Sequence, residues 1–209
     1  MTTRFRSIVS KKACAVMMAV AACLAPAPTQ SAQARQVQSS TPSSIVVIGD
    51  SNVEGRAVAP QARYPAQLEF ALRNAGYNVT VVNRGIYGDR IRGVLRRLDR
   101  DVPAGTRLAV VWVGINDARY GATLQQVTAG LAEIRRRLSA RGIANYIVAP
   151  PVYDVSLHRN RQTRVSFIDP HLNARGYSIM LQRTWTGIRS KLRQAGVRPG
   201  GRSMRNAGR

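Results

Sequence analysis

Short apolar runs alternate along this chain with longer stretches whose apolar residues recur every three or four positions. Ile45-Val46-Val47-Ile48 is an unbroken β-branched run and predicts a buried strand. Leu68, Ala71 and Leu72 give helical spacing within 65–75, and Gly76 stops that helix. Val79-Thr80-Val81-Val82 predicts a second strand, and Ile91, Val94, Leu95 and Leu98 fall on one face of a following helix. Leu108 to Val113 is wholly apolar and predicts the third strand. Thr123 is placed to cap a helix carrying Leu124, Val127, Leu131, Ile134 and Leu138, which Gly142 ends. Tyr146 to Ala149 predicts a fourth strand and Val165 to Ile168 a short fifth. A last helix is expected from about Ala174 to Ala195.

Strands that are apolar on both faces and alternate with helices specify a parallel sheet covered on each side. That is an α/β fold, a three-layer α/β/α sandwich, here with five strands. Residues 44–197 form one domain on this reading, without an internal repeat. In such sheets ligands bind beyond the carboxyl ends of the strands. The residues that follow each strand are therefore where chemistry is expected.

Four of those positions carry small or polar groups. They are Gly49-Asp50-Ser51-Asn52, Asn83 to Asp89, Gly114-Ile115-Asn116-Asp117, and Asp169-Pro170-His171-Leu172-Asn173. The set suits acyl transfer. Ser51 is a weak nucleophile until a base takes its proton. His171 is the candidate base, since an imidazole exchanges protons near neutral pH. Asp169 is the candidate acid that orients it. The backbone N–H groups of Ser51 and Gly88 and the amide of Asn116 are candidate oxyanion donors. Asp50 reads as a turn residue, Asp117 and Asn173 as supporting or capping groups, and Trp112 and Trp185 as packing residues.

These four blocks, in this order, resemble the SGNH, or GDSL, hydrolases. Gly49-Asp50-Ser51 is similar to their first block, with Asn52 where leucine is commoner. Gly88 fits the second block's glycine, Gly114-Ile115-Asn116-Asp117 the third, and the run from His171 to Tyr177 the last. Tyr64 to Glu69 and Gly76 to Asn83 are similar to the exported bacterial arylesterases and acyl thioesterase/lysophospholipases. A single G-D-S arises by chance, whereas four ordered blocks after four strands do not. The resemblance implies a flavodoxin-like sheet and cleavage of carboxylic esters or thioesters through an acyl-serine. It implies no cofactor and no metal.

Three departures qualify it. The family's D-x-x-H is here Asp169-Pro170-His171, one residue short, with Ile168 three before the histidine. Asp154 is then an alternative partner for His171. The segment 151–164 is cropped and carries His158, Arg159, Arg161 and Arg164, with His158 read as an exposed loop residue. The helix after Gly88 begins with Arg90 and Arg92, candidates for binding a substrate phosphate or carboxylate, while Arg96 and Arg97 read as a solvated face. The first two departures also motivate the alternative of a catalytically weak protein that binds anionic envelope lipid or polysaccharide.

Composition changes the picture at the ends of the chain. Arg4, Arg6, Lys11 and Lys12 precede an apolar stretch from Ala13 to Ala25, and Ala32-Gln33-Ala34 follows it. This is the pattern of a secretory signal peptide, residues 1–34, with export to the periplasm or beyond. The rival is a lipoprotein signal ending in Val20-Ala21-Ala22-Cys23, and the third option an uncleaved anchor. Cleavage after Ala34 would remove Cys14 and Cys23, both cysteines of the chain, and so exclude thiol or cysteine-metal chemistry. Residues 35–43 read as a flexible leader and 198–209 as a basic disordered tail. The formal charge is +22, from 32 basic and 10 acidic residues. That favours an anionic substrate or peripheral contact with a membrane. Without zinc spacing or an aromatic-studded RNA motif it does not indicate nucleic acid.

Overall fold

The structure, a computed structural model, describes residues 41–148 and 156–200. Residues 1–34, expected to be a signal peptide, most of the expected leader, Asp154 and residues 201–209 of the expected tail lie outside them.

Strand β1 (Ser43–Gly49) is the centre of the fold. It pairs in parallel with β2 (Val79–Gly85) on one side and β3 (Leu108–Trp112) on the other. β3 pairs in parallel with β4 (Ala144–Ile147), giving the order β2-β1-β3-β4. The helices are α1 (Ser51–Glu54), α2 (Tyr64–Asn74), α3 (Ile91–Asp101), α4 (Ile115–Arg119), α5 (Leu124–Ala140), α6 (Ser156–Arg159) and α7 (Ala174–Gln194).

Alternation within β1 and β3 divides the core in two. Ile45, Val47, Leu108, Val110 and Trp112 pack with Leu68 and Leu72 of α2 and Met180, Ile188 and Leu192 of α7. Val46, Ile48, Ala109 and Val111 pack with Val94 and Leu98 of α3 and Ile134 and Leu138 of α5. Each buried Val, Leu or Ile of these layers contributes about 1.5–3 kcal/mol relative to an exposed position. The sheet is thus apolar on both faces because helices cover both. Among the described residues, no helix is long and apolar enough to cross a membrane.

The helix starts follow their caps. Thr123 and Gln126 form a reciprocal capping box at α5, and the Asn173 side chain accepts the Gly176 N–H at α7. β4 begins two residues earlier than its apolar run suggests, with Ala144 opposite Leu108.

One expected element is absent. Val165–Ile168 is not a fifth strand, and the sheet has four strands among the described residues. Phe167 and Ile168 are exposed there, so the run has no face to bury. Instead Arg164 makes a single antiparallel bridge with Leu172, and the chain between them folds into a tight loop.

Candidate active site

The position of the candidate nucleophile, Ser51, follows from the end of β1. An ideal Cβ on Gly49 would sit 1.9 Å from the Trp112 carbonyl oxygen, so the two strand ends approach as only glycine permits. Asp50 then caps α1. Its Oδ1 accepts the Asn52 backbone N–H at 2.9 Å and the Asn52 amide at 3.0 Å. Asp50 is fully buried, and that burial pushes its carboxyl up to about 6 against the lowering effect of the Asn52 hydrogen bonds. It is a turn residue, as the sequence suggests. Ser51 is the first residue of α1 and only its surface edge is exposed.

The candidate base, His171, comes from the loop between Arg164 and Leu172. The Val165 N–H donates to the His171 carbonyl at 2.8 Å, and the Ser166 N–H to the Asp169 carbonyl at 3.1 Å. Within that loop Asp169 Oδ1 accepts the His171 backbone N–H at 3.0 Å and meets ring Nδ1 at 2.6 Å. An aspartate accepting the N–H two residues on is an Asx turn. The shortened motif therefore delivers the carboxylate to the imidazole through that turn rather than through an extra residue. His171 Nε2 lies 2.9 Å from Ser51 Oγ. An ionised carboxylate only accepts, so Nδ1 carries the proton and Nε2 is left to take the one from Ser51. Burial alone would raise the Asp169 carboxyl, but its hydrogen bonds from the His171 backbone and ring, and the charge of that ring, bring it below the ordinary carboxylate value.

Asn116 is buried at the start of α4. Its amide donates one N–H to the Asp89 carbonyl at 2.9 Å, which leaves the other for a substrate oxygen. Asp117 Oδ2 accepts the Ile91 N–H at 3.0 Å and so supports the start of α3, as expected of a capping group. Gly88 adopts φ of +71°, in the left-handed region, with no heavy atom within 4 Å of where a Cβ would stand. Ser51, Asn116 and His171 line one cavity of about 280 Å³ together with Asn52, Ile115 and Pro170. Gly88 is not part of that lining; it adjoins it through Asp89, the partner of Asn116.

Three arginine readings and one histidine reading change. Arg90 and Arg92 are exposed and do not line the cavity. The Arg90 guanidinium instead stands 4.9 Å from the centre of the Tyr120 ring. The cavity's cations are Arg119 and Arg159. Arg119 lies one helical turn after Asn116, a spacing that was available as a signal. Arg97, read as solvated, is buried at 7% exposure. It contacts Asp89 Oδ2 at 2.8 Å and Asp101 Oδ2 at 2.7 Å, and donates to the carbonyls of Gly49 and Arg84, each at 2.9 Å. Two carboxylates make its burial tolerable, and it ties the end of β1 to the loop carrying Gly88. His158 is half-buried on α6 and lines the cavity; it is not an exposed loop residue. Its Nδ1 donates to the Pro170 carbonyl at 2.7 Å. Burial, partly offset by that bond, lowers its basicity, with the charges of His171 and Arg119 acting the same way.

Tyr87 was not anticipated from sequence. Its ring centre lies 5.8 Å from that of His171, and the Arg56 guanidinium stands over the ring, 5.2 Å from its centre. Trp112 packs edge-on to Tyr64 and Tyr177 in the core, and Trp185 packs against it, as expected. Among the described residues, no three His, Asp or Glu side chains are grouped to hold a metal ion.

The GDSL-like lipase/acylhydrolase family matches residues 47–169. Esterase TesA of Pseudomonas aeruginosa is 32% identical over 123 residues, covering 56% of this chain and 60% of that protein. The chain thus spans about three-fifths of the length of this curated relative. The crystal structure of TesA superposes with a TM-score of 0.59 at 20% identity, over 73% of this chain and 99% of that one. Esterase EstA from Pseudoalteromonas sp. gives 0.59 at 14% identity, over 72% and 98%. A family 3 carbohydrate esterase of Clostridium thermocellum gives 0.53 at 17% identity, over 75% and 100%. These three superpositions establish a shared fold. With more than half of its length matched, the chain belongs to the GDSL-like lipase/acylhydrolase family.

Proposed function

We propose that this protein is an exported serine hydrolase that cleaves carboxylic esters or thioesters through an acyl-Ser51 intermediate. The observation that carries the reading is the continuous hydrogen-bond chain from Asp169 through His171 to Ser51, with steps of 2.6 and 2.9 Å, opening on a cavity. Ser51 Oγ attacks the acyl carbon while His171 Nε2 takes its proton. The carbonyl π electrons move to oxygen, where the Asn116 amide and the N–H groups of Ser51 and Gly88 receive the charge. Collapse expels the alcohol or thiol, which leaves with the proton from His171. Water then attacks the acyl group, giving its proton to His171, and Ser51 is regenerated as the acid departs. The same steps serve oxygen and sulfur leaving groups. Export is supported by the charge and apolar pattern of residues 1–34.

The test is hydrolysis of p-nitrophenyl acetate and butyrate by the purified protein beside Ser51→Ala. Loss of turnover is expected in the variant, and a fluorophosphonate should label the protein at Ser51 alone. Equal rates for the two proteins would remove the enzyme reading. The non-catalytic reading rests on the shortened motif and the cropped segment 151–164, and against the first of these Asp169 stands at 2.6 Å from the imidazole.

A further inference from the structure

We propose that Arg119 and Arg159 form an anion site on the catalytic cavity, so that the preferred substrate is an ester carrying a carboxylate or phosphate close to its scissile bond. The inference deepens the esterase reading and rests on Ser51 marking where the acyl carbon sits.

Four observations carry it. Both guanidinium-bearing residues line the same cavity as Ser51 and His171, and among the described residues that lining contains no acidic side chain. Neither arginine has a salt bridge to a described carboxylate, whereas Arg73, Arg97, Arg100, Arg136, Arg137 and Arg141 each have one. With 10 acidic residues against 32 basic ones, carboxylates are scarce, and none of the described ones pairs with either arginine. Arg119 is carried on α4 one turn from the oxyanion candidate Asn116, and Arg159 ends α6, which His158 ties to the Pro170 carbonyl. Both cations are therefore rooted on elements that also position the reacting groups.

The chemistry follows from guanidinium geometry. Two planar forks can each take a carboxylate or phosphate in paired hydrogen bonds. One cavity of about 280 Å³ joins both arginines to Ser51, so a compact substrate can meet the two at once. Ile115 and Pro170 add apolar lining to the same cavity.

Binding is tested on the Ser51→Ala variant, which does not consume the probe, by titration calorimetry. With the charge on the leaving side, 4-acetoxybenzoate is compared with its methyl ester. With the charge on the acyl side, monomethyl succinate is compared with dimethyl succinate. The anionic member of at least one pair is expected to bind roughly tenfold tighter, which is what one charge-assisted contact supplies. The pair that shows the preference identifies the side on which the anion lies. Adding Arg119→Gln and Arg159→Gln should abolish it, while Arg119→Lys with Arg159→Lys retains part of it. Equal affinities in both pairs, or a preference that survives the double glutamine variant, would overturn the proposal. Turnover of the same esters by the unmutated protein separates the two readings. Selective binding without turnover leaves the anion site standing and removes the esterase. Turnover of charged and neutral esters at equal kcat/KM, with equal binding, does the reverse.

Discussion

Ser51 and His171 meet at 2.9 Å, yet the two sides of that contact are held by different means. Ser51 and Asn116 follow β1 and β3, the two strands whose residues are buried on both faces. Their positions are consequences of core packing, reinforced by Arg97 beneath the loop that carries Gly88. Asp169 and His171 stand on a loop with no strand under it. A few local bonds hold that loop: the Arg164–Leu172 bridge, the Asx turn at Asp169, and the Asn173 N–H on the Thr163 carbonyl. The proposed nucleophile is thus specified by the fold and the proposed base by turn chemistry. Damage to the first should appear as lost stability, and damage to the second as lost rate.

The loop side should show the largest effect. Asp169→Asn keeps an acceptor for the turn but removes the charge that holds Nδ1 protonated. A fall in kcat of roughly 10²–10⁴-fold is expected, by analogy with loss of the orienting acid in serine proteases. The thermal midpoint should barely move. A variant that kept most of its rate would show that another group orients His171.

The sheet side responds in the opposite currency. Arg97→Met leaves half-buried Asp89 without its cation and Asp101 with only the exposed Arg100, and about 3 kcal/mol of stability should be lost, the low end for a broken buried pair. Urea unfolding measures it. If the midpoint held while kcat fell, Arg97 would belong with the loop's positioning groups instead of with the core.

What could be read in advance divides along the same line. The β-branched runs of β1 and β3 mark buried strands, and small or polar residues after them mark the site, so Ser51 and Asn116 were legible. The turn around His171 was not. Val165 to Ile168 has strand composition, but strand composition says nothing of whether a neighbouring strand exists to pair with it. Asp169 was suspected because it lies close in sequence, and its reach depended on a backbone turn that no spacing rule encodes. Arg97 looked solvated because half its partners come from elsewhere in the chain, although Asp101 at i+4 was a visible clue. Arg90 and Arg92 lie near Gly88 in sequence, but the turn into α3 carries them away from the cavity.

Asp50 sharpens the comparison through pH. Its folded carboxyl is raised from 3.8 to about 6 by burial. Between about pH 4 and 6 the folded protein therefore binds more of this proton than the unfolded chain does, and stability falls as pH rises through that window. Above it the ionised group costs up to ~3 kcal/mol, taking about 1.36 kcal/mol for each unit. Asp50→Asn retains an oxygen for the Asn52 N–H and carries no charge. Its unfolding free energy should lose that slope between pH 4 and 6 and exceed that of the parent at pH 7. An unchanged slope would place the titrating group elsewhere.

The smallest effect should come where the two sides touch. Gly176 lies in the first turn of α7, which packs on the core, and an ideal Cβ there would stand 2.4 Å from the Thr163 carbonyl oxygen and 3.0 Å from Leu172 Cβ. Both contacts belong to the base of the His171 loop, since the Thr163 carbonyl also receives the Asn173 N–H. Gly176→Ala must therefore push that loop away from a helix anchored by Met180, Ile188 and Leu192. Overpacking of this kind costs about 1–3 kcal/mol. If the loop is the weaker partner, most of the strain should be relieved there, lengthening the His171–Ser51 contact. The expected signature is a drop in kcat larger than the change in unfolding midpoint would suggest, with KM little altered. A variant that lost stability but kept its kcat would mean that the helix yields instead, and that the loop is held as firmly as the strands.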